Sequence, residues 1–337
     1  MKKVSVIIPC FNATKYLPKC FMSLVQQTIG IDQIELIFVD DASTDEDATW
    51  NMLQEFERAY PESIMILKLE ENMRQGGARN VALQYATGEY IAFVDADDFV
   101  SENFLLETYE KAKESDADII QFEYFYYTDR LGAVDSGRNV TPEVIKISSV
   151  SERKKFLISE KVTYGCWNKL YRHDLLKKAH TSYAEHVIYE EPLFVYPLLY
   201  FADKIVILND AYYYYRQNDA GTMRNDMKQE ETLKMHADVQ LAVWNFMKET
   251  PFFQEYYDEI KLYFLHTYLY ETLYFAKLRD FKPSYAFYKE LEKTVITEVP
   301  DYEESTYSAL IPKQMELYRM IGEGMTEVKF GGYWERL

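Results

Sequence analysis

The chain has 337 residues, of which 48% are hydrophobic and 27% are charged, a composition typical of a folded globular protein. Its 55 acidic and 37 basic side chains give a net charge of -18, which argues against a nucleic-acid partner and against attraction of the whole surface to anionic lipid. No apolar run approaches the ~20 residues that span a bilayer, and Lys2 and Lys3 lead straight into a short strand, so we expect neither a membrane span nor a signal peptide.

The first 125 residues alternate between apolar runs of strand length and segments with helical periodicity. The predicted strands are 4–8, 35–39, 64–69, 90–94 and 119–125. The predicted helices are 16–25, 45–59 with Ser43 or Thr44 as its cap, one opened by Gly76 and Gly77, and 101–115. Strands and helices that alternate at this spacing predict an α/β fold with a mostly parallel sheet and helices on both faces.

Three carboxylates within four residues, Asp95, Asp97 and Asp98, end the strand that begins at Tyr90. Clustered acids at the edge of an apolar core repel one another, and a divalent cation with oxygen ligands, Mg²⁺ or Mn²⁺, relieves that repulsion. The same acids are also compatible with a solvated turn that caps the helix beginning near Ser101.

Polar residues follow the first four predicted strands: Pro9 to Asn12, Asp40 and Asp41, Asn72 to Arg79, and Asp95 to Asp98. Ligands of open α/β sheets bind outside the carboxyl ends of the strands. Four polar ends at one edge therefore predict a binding crevice.

The second half of the chain reads differently. Residues 128–150 are polar and irregular, which predicts a mobile loop near the edge of the sheet. Beyond about Lys228 the pattern is one of long amphipathic helices rich in tyrosine. Core packing, stacking on sugar rings, a lipid interface and a homodimer seam are all compatible with these tyrosines. The predicted domains are residues 1–225, divided into halves 1–125 and 126–225, and a helical region 226–337.

In order and spacing, four segments resemble family 2 glycosyltransferases of the GT-A fold, the inverting nucleotide-sugar enzymes of bacterial surface-polysaccharide synthesis. These are Val4-Ser-Val-Ile-Ile-Pro-Cys-Phe-Asn12, Val39-Asp-Asp-Ala-Ser-Thr-Asp45, Gly76-Gly-Ala-Arg-Asn80 and Gly88-Glu-Tyr-Ile-Ala-Phe-Val-Asp-Ala-Asp-Asp98. Weaker matches continue to about Met223, and the remaining residues match nothing familiar. The fold implied is a Rossmann-like GT-A domain with a C-terminal helical appendage.

The resemblance implies a role for each residue of a donor site. Pro9, Phe11 and Asn12 would line the base and ribose pocket, Asp41 would accept the imide N–H of uracil, and Arg79 would face the diphosphate or the base. Asp95 would contact the ribose or a metal-bound water, and Asp97 would bind the cation. Arg216 and Thr222 would contact the diphosphate from a segment that closes over it.

An inverting transfer also needs a base that takes the proton of the acceptor hydroxyl. The family carries an acidic pair, usually Glu then Asp, ahead of a helix, and this chain has Glu190 and Glu191 there. Glu191 aligns with the base, although its extra methylene moves the carboxylate by roughly 1–1.5 Å, and Glu190 is the alternative base. Trp167 and Lys169 precede the pair and are candidates for the acceptor side, and core packing is the alternative role for Trp167.

The resulting hypothesis is a metal-dependent inverting transferase that moves one sugar from a UDP-sugar to a saccharide or a lipid-linked saccharide acceptor. A nucleotidyltransferase is less compatible, because a Gly-rich basic loop typically follows its first strand, where this chain has Pro9 to Asn12. A nucleotide-binding module without activity is the remaining alternative. Three cysteines without metal-ligand spacing indicate a reducing compartment, so we expect the protein in the cytoplasm, with the inner face of the membrane as an alternative through its acceptor.

Overall fold

The computed structural model describes residues 2–217 and 230–337, and the chain divides into two compact units, Met1–Asp219 and Ala220–Leu337. The sequence placed this boundary between 225 and 226, which lies outside the described residues.

Unit 1 is built on one mixed sheet with the strand order β3-β2-β1-β4-β9-β6-β10-β5. Its strands are β1 (Val4–Cys10), β2 (Ile34–Asp40), β3 (Ile64–Lys68), β4 (Tyr90–Phe93), β5 (Phe99–Val100), β6 (Ile119–Thr128), β7 (Gly132–Asp135), β8 (Glu143–Lys146), β9 (Lys169–Arg172) and β10 (Lys204–Arg216). Strands β3, β2, β1 and β4 are parallel, whereas β9 runs antiparallel to both β4 and β6. The predicted parallel sheet is therefore confirmed for the first four strands, and the rest of the sheet is mixed.

The helices of unit 1 cover both faces of the sheet. They are α1 (Leu17–Val25), α2 (Ala48–Ala59), α3 (Arg74–Leu83), α4 (Phe104–Ser115), α5 (Val150–Leu157), α6 (His173–Ala179) and α7 (Glu191–Phe201). On one face, Val6 belongs to a buried cluster with Leu24 of α1 and Phe104 of α4. On the other face, Phe93 makes an edge contact with Phe194 of α7 at 5.5 Å between ring centroids.

Two details of the sequence prediction were wrong. Residues 128–150 contain the strands β7 and β8, which pair antiparallel with β6 and β10. Ser43 does not cap α2, because that helix begins only at Ala48, and the carboxylate of Asp45 accepts the backbone N–H of Thr49 instead. The Ser43 hydroxyl accepts the backbone N–H of Asn12 at 3.0 Å and so connects the loops that follow β1 and β2.

Unit 2 is helical over its described residues. Its helices are α8 (Glu230–Lys248), α9 (Tyr257–Phe264), a π-helix (Leu265–Glu271), α10 (Thr272–Leu278), α11 (Tyr285–Glu298), α12 (Pro312–Gly322) and α13 (Glu327–Arg336). The predicted periodicity buries Leu265, Leu269, Leu273 and Ala276. Four tyrosines of the aromatic helices are also buried, which supports core packing as their role: Tyr256, Tyr263, Tyr268 and Tyr270.

Candidate active site

Asp41 directly follows β2 in a buried position, with 3% of the residue exposed. Its carboxylate accepts the backbone N–H of Met73 at 2.7 Å. Burial raises the pKa of Asp41 to about 6, because the surroundings disfavour the charged form. Pro9 lies buried inside β1, whereas Phe11 leaves 47% of its surface exposed. The ends of β1 and β2 thus carry an exposed aromatic ring, that of Phe11, and a buried hydrogen-bond acceptor, the carboxylate of Asp41.

Asn12 fixes the loops that follow β1 and β2. Its backbone adopts a left-handed conformation with φ of 49°, which asparagine tolerates better than most residues. Its side-chain oxygen accepts the backbone N–H of Thr44 at 2.8 Å, and its side-chain nitrogen donates to the Thr44 hydroxyl at 3.2 Å. The loops after β1 and β2 are therefore joined by side-chain hydrogen bonds.

Arg79 lies at the centre of the site, with 2% of its side chain exposed. Its two terminal nitrogens donate to two carboxylates far apart in sequence, to Asp95 at 2.6 Å and to Glu190 at 2.5 Å. The sequence placed this guanidinium facing a diphosphate or a base; the structure shows it bridging two acids. Its Nε is buried and has no hydrogen-bond partner among the residues that the structure describes.

Asp97 and Asp98 follow Asp95 in the loop after β4 and differ in environment. The carboxylate of Asp98 is buried, accepts the Tyr213 hydroxyl at 2.7 Å and accepts the Arg216 backbone N–H at 2.6 Å. Burial and the neighbouring Asp97 raise the pKa of Asp98 well above its usual range. Burial and the charge of Asp95 raise the pKa of Asp97 to about 6. The two hydrogen bonds give Asp98, whose role the sequence left open, the function of anchoring the loop to β10.

Arg216 reaches this same loop from the last residue of β10. Its Nε donates to the backbone oxygen of Asp97 at 2.8 Å, and its Nη1 pairs with Asp129. Its guanidinium carbon lies 4.6 Å from the ring centroid of Tyr16. The structure thus places Arg216 beside the predicted metal residues, whereas Thr222 lies outside the described residues.

The acidic pair stands at the start of α7, as the sequence predicted, but its two members differ. Glu190 is buried and paired with Arg79. Glu191 is half-buried, and its carboxylate accepts the backbone N–H of Cys166 at 2.7 Å. Burial and the charge of Glu190 raise the pKa of Glu191 to about 7. Glu191 can therefore exchange a proton near neutral pH, while Glu190 is held as the partner of a cation.

Trp167 and Lys169 lie next to the pair in different surroundings. Trp167 is half-buried among aromatic rings and stacks on Tyr215 with 5.4 Å between centroids. Lys169 has no exposed surface, and its ammonium donates to Thr163, Gly165 and Asn168. Burial lowers the pKa of Lys169 to about 7. The lysine therefore supports the loop that precedes β9.

Sequence reasoning missed Tyr213. Its hydroxyl accepts the backbone N–H of Asp95 at 3.0 Å while it donates to Asp98. The run of tyrosines from 212 to 215 was visible, but the register of β10 against β6 is irregular between Ile207 and Tyr213, so the pattern alone does not say which ring faces the acids.

Among residues 2–217 and 230–337, no three His, Cys, Asp or Glu side chains are grouped so that they could hold a metal ion by themselves. The model of the family described as "Glycosyl transferase family 2" matches residues 5–179, more than half of the chain. The chain belongs to this family and is a glycosyltransferase.

Relatives agree with this assignment. Over 233 residues the chain is 31% identical to "Glycosyltransferase GlyG" of Streptococcus pneumoniae serotype 4, covering 66% of this chain and 73% of that protein. It is 30% identical to the poly(ribitol-phosphate) beta-glucosyltransferase of Bacillus spizizenii, but the match covers 63% of this chain and only 32% of that longer protein. The structure of S. aureus TarS 1-349 with UDP has the same fold, with a TM-score of 0.69, 21% identity, and coverage of 98% of this chain and 89% of that one.

Proposed function

We propose that this glycosyltransferase is an inverting, metal-dependent enzyme that moves one sugar from a UDP-sugar to a saccharide or lipid-linked saccharide acceptor in the synthesis of a cell-surface polymer. The observation that carries the proposal is the difference in environment between the two glutamates of the acidic pair. Arg79 neutralises Glu190, and Glu191 is left half-buried with a pKa of about 7. A base whose pKa lies near the working pH is the most effective proton acceptor.

The donor nucleotide is assigned to the ends of β1 and β2. The exposed ring of Phe11 offers a surface for the base, and the carboxylate of Asp41 accepts N–H groups at the same corner. The imide N–H of uracil suits such an acceptor, whereas cytosine has no proton at that position. The relatives named above include a poly(ribitol-phosphate) glucosyltransferase, which supports a sugar donor and a surface polymer as product.

A divalent cation fits the loop after β4. The carboxylates of Asp95 and Asp97 are hard oxygen ligands, and the raised pKa of Asp97 reflects a buried negative charge that a cation would stabilise. Two carboxylates are what Mg²⁺ or Mn²⁺ commonly takes from a protein when a diphosphate supplies other ligands. The cation would neutralise the charge that develops on the departing nucleoside diphosphate.

In the proposed reaction, an oxygen of the acceptor attacks the anomeric carbon of the sugar, and the bond from that carbon to the diphosphate breaks. The proton of the acceptor hydroxyl passes to the carboxylate of Glu191. The Cys166 N–H fixes one oxygen of Glu191, which orients the carboxylate. Glu190 and Arg79 hold the start of α7 against the donor-site loop.

The acceptor side includes Trp167, and a lipid-linked acceptor would bring the protein to the inner face of the membrane. In the described part of the chain, none of the helices combines the length and the apolar character that a bilayer crossing requires.

Titration calorimetry with UDP, GDP, CDP and dTDP, each with and without Mn²⁺, tests the donor assignment. We expect metal-dependent binding of UDP that is lost in Asp97→Ala. Binding of none of the four nucleotides would overturn the proposal and favour a module without activity. Glu191→Gln then tests the base: transfer is expected to be lost while UDP binding is kept. Glu185→Gln, an exposed acid in the preceding loop, is the matched control and should transfer normally.

A further inference from the structure

Five aromatic rings form a continuous cluster beside the acidic pair, which we call the aromatic platform: Trp167, Tyr213, Tyr215, Tyr124 and Tyr126. The indole of Trp167 lies 4.7 Å from the Tyr213 centroid and 5.4 Å from that of Tyr215. Tyr213 and Tyr215 stand two residues apart on β10, so they share one face of the sheet and the indole lies across both. The tyrosines thus support one side of the indole.

Two rings of the platform, Tyr124 and Tyr126, lie on β6. Tyr124 makes an edge contact with Trp167 at 4.8 Å, and Tyr126 makes edge contacts with Tyr124 at 5.4 Å and with Tyr215 at 6.2 Å. Its hydroxyl lies 3.4 Å from that of Tyr124. Tyr213 has no exposed surface, whereas the other four rings of the platform keep some: Trp167, Tyr124 and Tyr215 are half-buried, and Tyr126 is 37% exposed.

The backbone connects the platform to the proposed base. Cys166, whose N–H donates to Glu191, immediately precedes Trp167. Consecutive Cα atoms lie about 3.8 Å apart, so the backbone of Trp167 is adjacent to the N–H that holds the carboxylate of Glu191. The nearby carboxylates of Asp98, Asp95 and Glu191 contribute to the raised pKa of Tyr215, in which burial is the largest cause. The phenol of Tyr215 therefore lies close enough to these carboxylates to interact with their charges.

We propose that the aromatic platform is the acceptor subsite and that it binds a cyclic sugar, a pyranose, by stacking the ring's C–H face on Trp167. This inference rests on the proposed function. Flat ligands such as nucleic-acid bases stack favourably on aromatic side chains, and a rigid aromatic ring loses little conformational entropy when it binds. An acyclic polyol phosphate chain has no ring face to match the platform.

The test measures acceptor binding and donor binding separately. Purified full-length chain is titrated with methyl pyranosides and their disaccharides, and in parallel with ribitol 5-phosphate, by ligand-observed NMR. We expect saturation transfer to the ring C–H protons of at least one pyranoside, and its loss in Trp167→Leu. The matched control is Trp50→Leu, another half-buried tryptophan of unit 1 that does not belong to the platform.

A milder variant covers the case in which Trp167→Leu fails to fold. Tyr126→Leu removes the exposed end of the platform, and we expect it to raise the acceptor KM severalfold with unchanged kcat and unchanged UDP binding. Pyranoside binding that Trp167→Leu and Tyr126→Leu leave unchanged would overturn the platform, as would binding of ribitol 5-phosphate in preference to every pyranoside. Failure of UDP to bind would instead count against the proposed function, since the NMR titration contains no donor.

Discussion

The two ion pairs of Arg79 allow a quantitative prediction about the stability of unit 1. Arg79→Met keeps most of the side-chain volume but removes the charge that neutralises Glu190 and Asp95. The side chain of Glu190 is 8% exposed and that of Asp95 is 24% exposed, so water can compensate only partly. Removal of one partner from a buried ion pair costs about 3–5 kcal/mol, because it leaves an uncompensated buried charge.

The matched control is Arg172→Met. Arg172 also pairs with two aspartates, but its own side chain is 23% exposed, and those of Asp116 and Asp118 are 78% and 22% exposed. Exposed ion pairs contribute about 0–1 kcal/mol, so the same replacement should cost less at this partly exposed site than at the buried one. The two variants therefore compare one chemical change in a buried and in a partly exposed setting.

The assay is hydrogen exchange of peptides from β1 and β4 at increasing urea, which reports the free energy of unfolding of unit 1 separately from that of unit 2. At pH 7 we expect Arg79→Met to lose several times more stability than Arg172→Met. Equal losses in the two variants would refute the buried bridge.

Three further predictions follow from the site. If Glu191 is the base, kcat/KM for the acceptor should rise with pH through about 7, since the carboxylate must be ionised to take a proton; a flat profile from pH 5.5 to 8.5 would exclude it. In Gly76→Ala the added Cβ would lie 2.2 Å from the Ala184 backbone oxygen, so the loop before the acidic pair must shift; steady-state assays should show at least about a tenfold loss of kcat, and normal turnover would contradict the packing. The buried Lys169 should make the wild type more stable as the pH rises from about 7 towards 10, because the unfolded chain binds the additional proton; unfolding of Lys169→Met should lack this rise.

The sequence predicted β1, β2 and β4 within about two residues because each is an apolar run that ends in polar residues. It failed for β7 and β8, which are short, have no buried residue and are held by backbone pairing with β6 and β10. The sequence pattern does not reveal such pairing, because hydrophobic periodicity appears only where one face of a strand is buried.

The polar residues at the ends of the parallel strands were predictable, because the topology of the sheet brings those ends together. Their partners were not. Arg79 is 111 residues from Glu190 in sequence, and nothing near either residue indicates the contact. Tyr213 is another example, because its hydroxyl reaches Asp95 and Asp98 only through the irregular register of β10.

The bridge made by Arg79 also explains how two adjacent glutamates can serve different purposes. Two neighbouring carboxylates that share one environment would compete for a proton, and neither would be a well-defined base. Here the guanidinium of Arg79 neutralises Glu190. The carboxylate of Glu191 accepts a hydrogen bond from the backbone N–H of Cys166 and has a pKa of about 7. The longer side chain of Glu191, where the family usually has Asp, is thereby fixed at its far end. Because Arg79 also holds Asp95, one guanidinium sets the position of the proposed base relative to the proposed cation site.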